Sequence, residues 1–247
     1  MNKTFGQFKA DFDLMYNNIN NAAAPGFTND EIAQLAQMST EEVCKGVYDG
    51  TLKGEGFEVT EEVTSYINGL TQQKLFTEDG ENKFEVNPST ILDIPIEGFN
   101  ARKCNLDDNL WFIVFESVKY KDSDTCFGGK QVGVKPITHD SAYRIMRNPF
   151  VGRNSNYVSR LLLENKVELL SWKEEIAEYL VRFMTRPTFK VALYNITING
   201  TTKQVPWKVV DNAIDYDNTP ILQELNDSLY RVIVRQTVNN AKNIWAS

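Results

Sequence analysis

Histidine is almost missing from this chain: His139 is its only one. One imidazole is too few for a typical zinc site, and cysteine does not make up the shortfall. Cys44, Cys104 and Cys126 are odd in number and lack metal-ligand spacing, so neither a metal nor a cofactor is expected. Cys44 falls on a helix as a small packing residue. Long apolar runs are also missing, and nothing approaches the length that crosses a bilayer. The first residues carry Lys3, Asp11 and Asp13 without the apolar stretch of a secretory signal. The expectation is synthesis in a cytoplasm and no membrane partner. Basic residues are outnumbered, 26 Lys+Arg against 33 Asp+Glu, for a formal net charge of −7 and a pI near 4.9. A dedicated nucleic-acid binder shows the opposite balance. Negative charge serves solubility; it also suits the wall of a channel through which nucleic acid passes without sticking.

What is present describes an ordinary globular chain. Its 42% hydrophobic and 24% charged residues argue against disorder, and its length allows one large domain or two small ones. Phe5, Phe8, Phe12, Met15 and Ile19 recur at steps of three and four, the stripe of an amphipathic helix. Ala24, Pro25 and Gly26 end it. Thr28 and Glu31 then have the spacing of a capping box, and Ile32, Leu35, Ala36, Ser39 and Val43 mark the inward face of a second helix. Thr60 caps a third, with Val63, Tyr66, Ile67 and Leu70 on one face.

Residues 73–108 read as a polar connection with one short strand at Phe84–Val86. LWFIVFESVKY, 110–120, is the strongest strand, with 131–137 as its partner across a turn at Gly128-Gly129. Residues 138–147 form a short helix capped by Thr138 or Asp140 and stopped at Asn148-Pro149. Tyr157–Leu163 and Lys166–Trp172 read as a hairpin turning at Glu164-Asn165. Residues 173–187 carry both helical and alternating spacings; flanking strands and Pro187 favour a strand over 177–185. Lys190–Ile198 is another strand, Asn199-Gly200 a hairpin turn, and 205–210 the return. Thr219-Pro220 opens the last helix. The fold class expected is α+β: a helical bundle from the N-terminal helices (1–72) and a long C-terminal helix (216–247), with a β-rich antiparallel middle (73–215).

Catalytic constellations are thin. His139-Asp140 pairs a base with a carboxylate, but adjacent side chains on a helix diverge, and aspartate in a first turn answers the helix dipole. Glu41-Glu42 and Glu61-Glu62 diverge likewise. Gly128-Gly129-Lys130 lacks the first glycine and the following Ser/Thr of a phosphate loop. No catalytic residue is expected. More suggestive is the Asn-Pro-Phe loop, where Arg144, Arg147, Arg153 and Arg160 interleave with Tyr143, Phe150 and Tyr157. Arginine and aromatics are enriched at protein interfaces; phosphate and base contact is the competing use, and ordinary surface arginines are the plain one.

The segment DFDLMYNNINNAAAPGFTNDEIAQLAQMSTEEV resembles the opening of the ring proteins of crAss-like bacteriophages: a Met15-Tyr16-Asn17 core, an Ala24-Pro25-Gly26 turn and a closing Glu41-Glu42 pair. Further matches follow in order at Gly56-Phe57-Glu58, at Thr138-His139-Asp140 leading into Tyr143–Phe150, and at Arg182-Phe183 and Arg186-Pro187, so that the resemblance spans residues 5–245 with gaps near 73–135 and 195–218. It implies a virion structural protein, a head-to-tail connector ring of twelve copies in the neck, meeting the portal and adjacent ring or tail proteins while DNA passes through. Pro25, Phe27, Arg144, Arg147, Pro149, Phe150 and Arg153 are the candidate subunit-interface residues. Another tail, neck or internal cargo protein is the alternative, and a cytosolic phage enzyme a further one.

Overall fold

A computed structural model of the chain describes residues 3–17, 26–51, 65–85, 98–148, 150, 152–189, 194–198 and 201–246. In chain order these form α1 (Phe5–Asn17), α2 (Asn29–Tyr48), a short 3-10 turn (Asn68–Leu70), β1 (Thr71–Thr77), β2 (Asn82–Lys83), β3 (Phe99–Asn105), β4 (Leu110–Tyr120), β5 (Gln131–Pro136), α3 (His139–Arg147), β6 (Tyr157–Leu163), β7 (Lys166–Trp172), β8 (Ile176–Thr185), β9 (Tyr194–Ile198), β10 (Thr201–Val205), β11 (Lys208–Val210), β12 (Ala213–Asp215) and α4 (Asp227–Ala246). The class is α+β. Two compact units divide the chain: residues 71–186 form one, and the segments before and after them form the other.

In the unit made from both ends of the chain, Phe5, Phe8, Phe12 and Tyr16 are the buried stripe of α1. The rings of Phe5 and Phe8 pack edge-on against buried Phe189, and Phe5 also meets Trp207 at 4.8 Å. Met15 is only half-buried; Ile19, Ala24 and Pro25 lie outside the described residues, as do Thr60 and Val63. The capping box of α2 is formed: Glu31 N–H donates to Thr28 Oγ1, and Thr28 N–H donates to Glu31 Oε2. Ile32, Leu35, Ala36, Ser39 and Val43 are all buried. The last helix starts at Asp227, not at Thr219-Pro220. Pro220 instead bridges to Thr4, Leu222 takes a positive φ of 51° that no helix continues through, and Asn226 Oδ1 caps the helix by accepting from Ser228 N–H. Hydrogen bonds from Tyr230 to Asp11 and from Asn240 to Ser39 hold α4 against α1 and α2. The β9 strand pairs with β10, so the return strand is Thr201–Val205 rather than 205–210.

The other unit is an eight-stranded sheet in the order β2-β1-β8-β4-β5-β6-β7-β3. Its edges come together: Glu85 N–H, just past β2, donates to Lys103 O of β3 at 2.8 Å, and Arg102 forms an ion pair with Glu78. The sheet is therefore nearly a barrel. Inside it lie Phe76, Phe84, Cys104, Val118, Tyr120, Val158, Val167, Leu169, Tyr179, Val181 and Phe183.

The expected strands at 110–120, 131–137, 157–163, 166–172 and 177–185 are present. Two features differ from expectation. β1 and β3 occupy part of the stretch expected to be a polar connection, with β1 paired to β8 and β3 to β7. The sheet is also not purely antiparallel: β5 and β6 run parallel. A parallel neighbour needs a crossover, and α3 supplies it.

Candidate functional site

The candidate surface is α3 and the loop that follows it. Ala142 and Met146 are buried against Leu161 and Leu170, with Phe99, Ala101 and Ile137 around them. One face of α3 therefore lies on the outer side of β6, β7 and β3, and its other face is solvated. Thr138 occupies the N-cap position, but its hydroxyl bonds Ser141 Oγ at 2.7 Å rather than capping the helix backbone. His139 Nε2 donates to the Leu162 carbonyl at 3.0 Å. Asp140 is held below its ordinary pKa by a hydrogen bond from Thr138, with nearby backbone N–H groups and Arg144 adding to it. Histidine and aspartate are thus engaged separately, one with the sheet and one with the helix start.

The solvated face carries Tyr143, Arg144 and Arg147. The Arg147 guanidinium lies 4.4 Å from the centre of the Tyr143 ring, a cation–π contact. Next comes Phe150, 88% exposed. A phenyl ring this exposed does not plug its own domain. Its backbone is nonetheless fixed, because Phe150 N–H donates to Asn148 Oδ1 at 2.9 Å and Gly152 N–H donates to Asn148 O at 2.9 Å. A Cβ on Gly152 would sit 2.2 Å from the Ile145 carbonyl oxygen, so the close return of the loop onto α3 needs glycine. Farther along, Tyr120 Oη and Ser155 Oγ donate to the carbonyls of Ser155 and Trp172 respectively. The burial that makes Tyr120 an inner-sheet residue pushes its phenol up to about 12.

The residues singled out in the sequence do not all meet. Arg144, Arg147 and Phe150 share the α3 surface. Arg153 lies over the Trp172 ring at 5.0 Å. Arg160 leaves the cluster: it alternates with Val158 and Leu162 on β6 and faces the sheet interior, where its Nε donates to Glu116 Oε1 at 2.9 Å. Phe27 is half-buried and packs on Phe12 and Tyr16 in its own unit. Pro25 and Pro149 lie outside the described residues. Of the cysteines, Cys126 is exposed, while Cys44 and Cys104 are buried. Burial pushes the Cys44 thiol up to about 12 and the Cys104 thiol upward as well. Among the described residues no cluster of His, Cys, Asp and Glu has the form of a metal site.

Missed by sequence reasoning was the interior group of Glu116, Arg160 and Tyr179. Tyr179 Oη donates to Glu116 Oε2 at 2.8 Å. Burial raises the Glu116 pKa, and Arg160 and Tyr179 oppose that shift. The available signal was parity: Arg160 shares its strand face with apolar Val158 and Leu162.

Residues 3–243 match the family model described as phage tail ring protein 3/4. The chain is 26% identical over 207 residues to Ring protein 3 of Bacteroides phage crAss001, covering 80% of this chain and 84% of that protein. It is 26% identical over 209 residues to Ring protein 4/5 of the same phage, covering 79% and 81%.

Proposed function

Because this chain belongs to the phage tail ring protein 3/4 family of crAss-like phages, we propose that it is a ring component of the virion's head-to-tail connector. Its copies, synthesised in the host cytoplasm, pack side by side in a closed ring of twelve between the portal and the tail, and the genome passes through the ring. The work is mechanical rather than catalytic. The helices α1, α2 and α4 form a bundle that acts as a rigid wedge in each copy, and the exposed part of the half-buried Phe27 meets a neighbour.

The observation that carries this reading is the α3 surface. An aromatic ring 88% exposed on a loop pinned by Asn148 costs little entropy on docking, since its backbone is already ordered. Beside it stand two arginines and a tyrosine, the residue types that anchor interfaces. The net charge of −7 favours a channel wall that repels DNA phosphates over one that grips them. Reconstruction of the virion neck by cryo-electron microscopy is the test. Twelve copies of this chain in one ring between portal and tail would support the reading; its placement elsewhere in the particle, or absence from the particle, would defeat it.

A further inference from the structure

Residues 191–198 read Val-Ala-Leu-Tyr-Asn-Ile-Thr-Ile, without a charge or a proline. That is the composition of a segment that pairs with copies of itself when its edge is open. Its described part is β9, which belongs to a two-stranded sheet, so one edge lies on β10 and no strand pairs with the other. β10 reads Thr-Thr-Lys-Gln-Val and carries Lys203, exposed, at its middle; an exposed lysine is a usual way of blunting a strand edge. β9 has no such charge. What stands at its edge is Asn212. Asn212 Oδ1 accepts from Thr197 N–H at 2.8 Å, and Asn212 Nδ2 donates to the Thr197 carbonyl.

We propose that Asn212 is an edge guard: its side-chain amide stands where a residue of an added strand would bond, and so keeps β9 from pairing with the β9 of a second copy. The guard is independent of which faces meet in a ring. Three observations carry it. First, one side chain supplies both the acceptor and the donor that a neighbouring strand would supply. Second, the two bonds fall on the edge itself. Thr197 has its N–H and C=O engaged outside the ladder, so Thr197 and Thr202 are a non-hydrogen-bonded pair whose polar groups point away from the partner strand. By the same alternation Asn195 also faces outward on this edge, and its N–H has no backbone partner among the described residues. Third, the amide is held in place. Asp211 and Asn212 are the two residues between β11 and β12, at φ 49° and 60°, the left-handed pair of a type I′ hairpin. Glycine serves that turn as well as asparagine does, so the turn alone does not account for Asn212; the bonds to Thr197 do.

Asn212→Gly is the test, because it removes the amide and keeps the turn, glycine taking a positive φ without strain. In the purified full chain, at a concentration where the parent binds no thioflavin T, the variant should self-associate and bind the dye. Its Thr197 amide should exchange hydrogen several-fold faster than the parent's. Adding Thr197→Lys puts a charge on the opened edge and should restore the parent's behaviour in the dye assay. A variant that binds no dye although its Thr197 amide has opened overturns the proposal. So does a Thr197 amide that exchanges at the parent's rate, and so does association that Thr197→Lys leaves unchanged, which marks general unfolding. Should Asn212→Gly yield no folded chain, hydrogen exchange in the unaltered protein decides. There the Thr197 amide should exchange several-fold more slowly than the Asn195 amide on the same edge, and equal rates overturn the proposal.

Discussion

Arg160 reaches Glu116 across 2.9 Å inside the sheet unit, with side chains only 11% and 9% exposed. Breaking one partner of such a pair strands the other charge away from water, which typically costs about 3–5 kcal/mol. Arg160→Met should therefore destabilise the unit by roughly that amount, while Arg160→Met with Glu116→Leu should recover most of the loss, since apolar replacement of both partners is often neutral. Chemical denaturation of the three proteins checks both statements.

The same carboxyl sets a pH dependence. Its pKa is raised in the folded chain, chiefly by burial, so the folded state binds its proton more tightly than the unfolded state does. The contribution of Glu116 to stability is then most favourable below the unfolded carboxylate value and declines as pH rises through the folded one. Arg160→Met removes the charge that restrains the shift. The variant should lose more stability than the parent as pH rises above about 4.5, the ordinary carboxylate value. Melting temperatures across that range give the difference; parallel curves for the two proteins would contradict it.

Glu31 behaves in the opposite sense. The Thr28 backbone and hydroxyl hold its pKa below the ordinary value, so its contribution is present above that value and fades as pH falls through the folded one. Thr28→Ala breaks the capping box and should cost about 1 kcal/mol. It should also flatten the acid limb that Glu31 contributes, measurable as a smaller difference in melting temperature between pH 3 and pH 6 (values chosen to bracket about 4.5, the carboxylate region).

How much was legible beforehand depended on whether a segment carries its own reason to fold. The Thr28–Glu31 box is local chemistry and was readable, as was the aromatic stripe of α1. The β4 strand is apolar and β-branched enough to declare itself. In contrast, β1 reads Thr-Gln-Gln-Lys-Leu-Phe-Thr and buries only Phe76; it is a strand because β8 pairs with it along seven residues, a tertiary cause that overrides propensity. Much the same holds for β3, where Cys104 alone is fully buried. The start of α4 was misplaced because Pro220 suits a first helical turn as well as it suits the bridge to Thr4, and only the φ of Leu222 tells them apart. At the candidate surface, sequence proximity gathered four arginines, but strand parity sends Arg160 inward.

Thiol labelling offers a direct check on the division of the cysteines. Cys126 is exposed, while burial raises the pKa of Cys44 and Cys104, and the thiolate is the reactive form. Titration of the native protein with a thiol reagent at pH 8 should modify one cysteine rapidly, and unfolding in denaturant should release the other two. Rapid modification of Cys104 in the native state would show that the sheet unit opens.

Phe150 separates folding from assembly more cleanly than any other residue. At 88% exposure its ring makes almost no contribution to the stability of its own chain, so Phe150→Ala should change the melting temperature little; surface substitutions of this kind stay within about 0.5 kcal/mol. As an interface anchor, the same ring would cost about 2 kcal/mol or more per contact when truncated, and a closed ring repeats the contact at every subunit. The expected outcome is a soluble, normally folded protein that is incorporated into particles poorly. Gly152→Ala should reach the same end by another path. Its Cβ would collide with the Ile145 carbonyl at 2.2 Å, displacing the loop and with it the ring of an unaltered Phe150. Circular dichroism melts and quantitative mass spectrometry of purified particles measure the two halves of the claim. If Phe150→Ala lowers stability as much as incorporation, the residue serves its own chain and the α3 surface is not an assembly face.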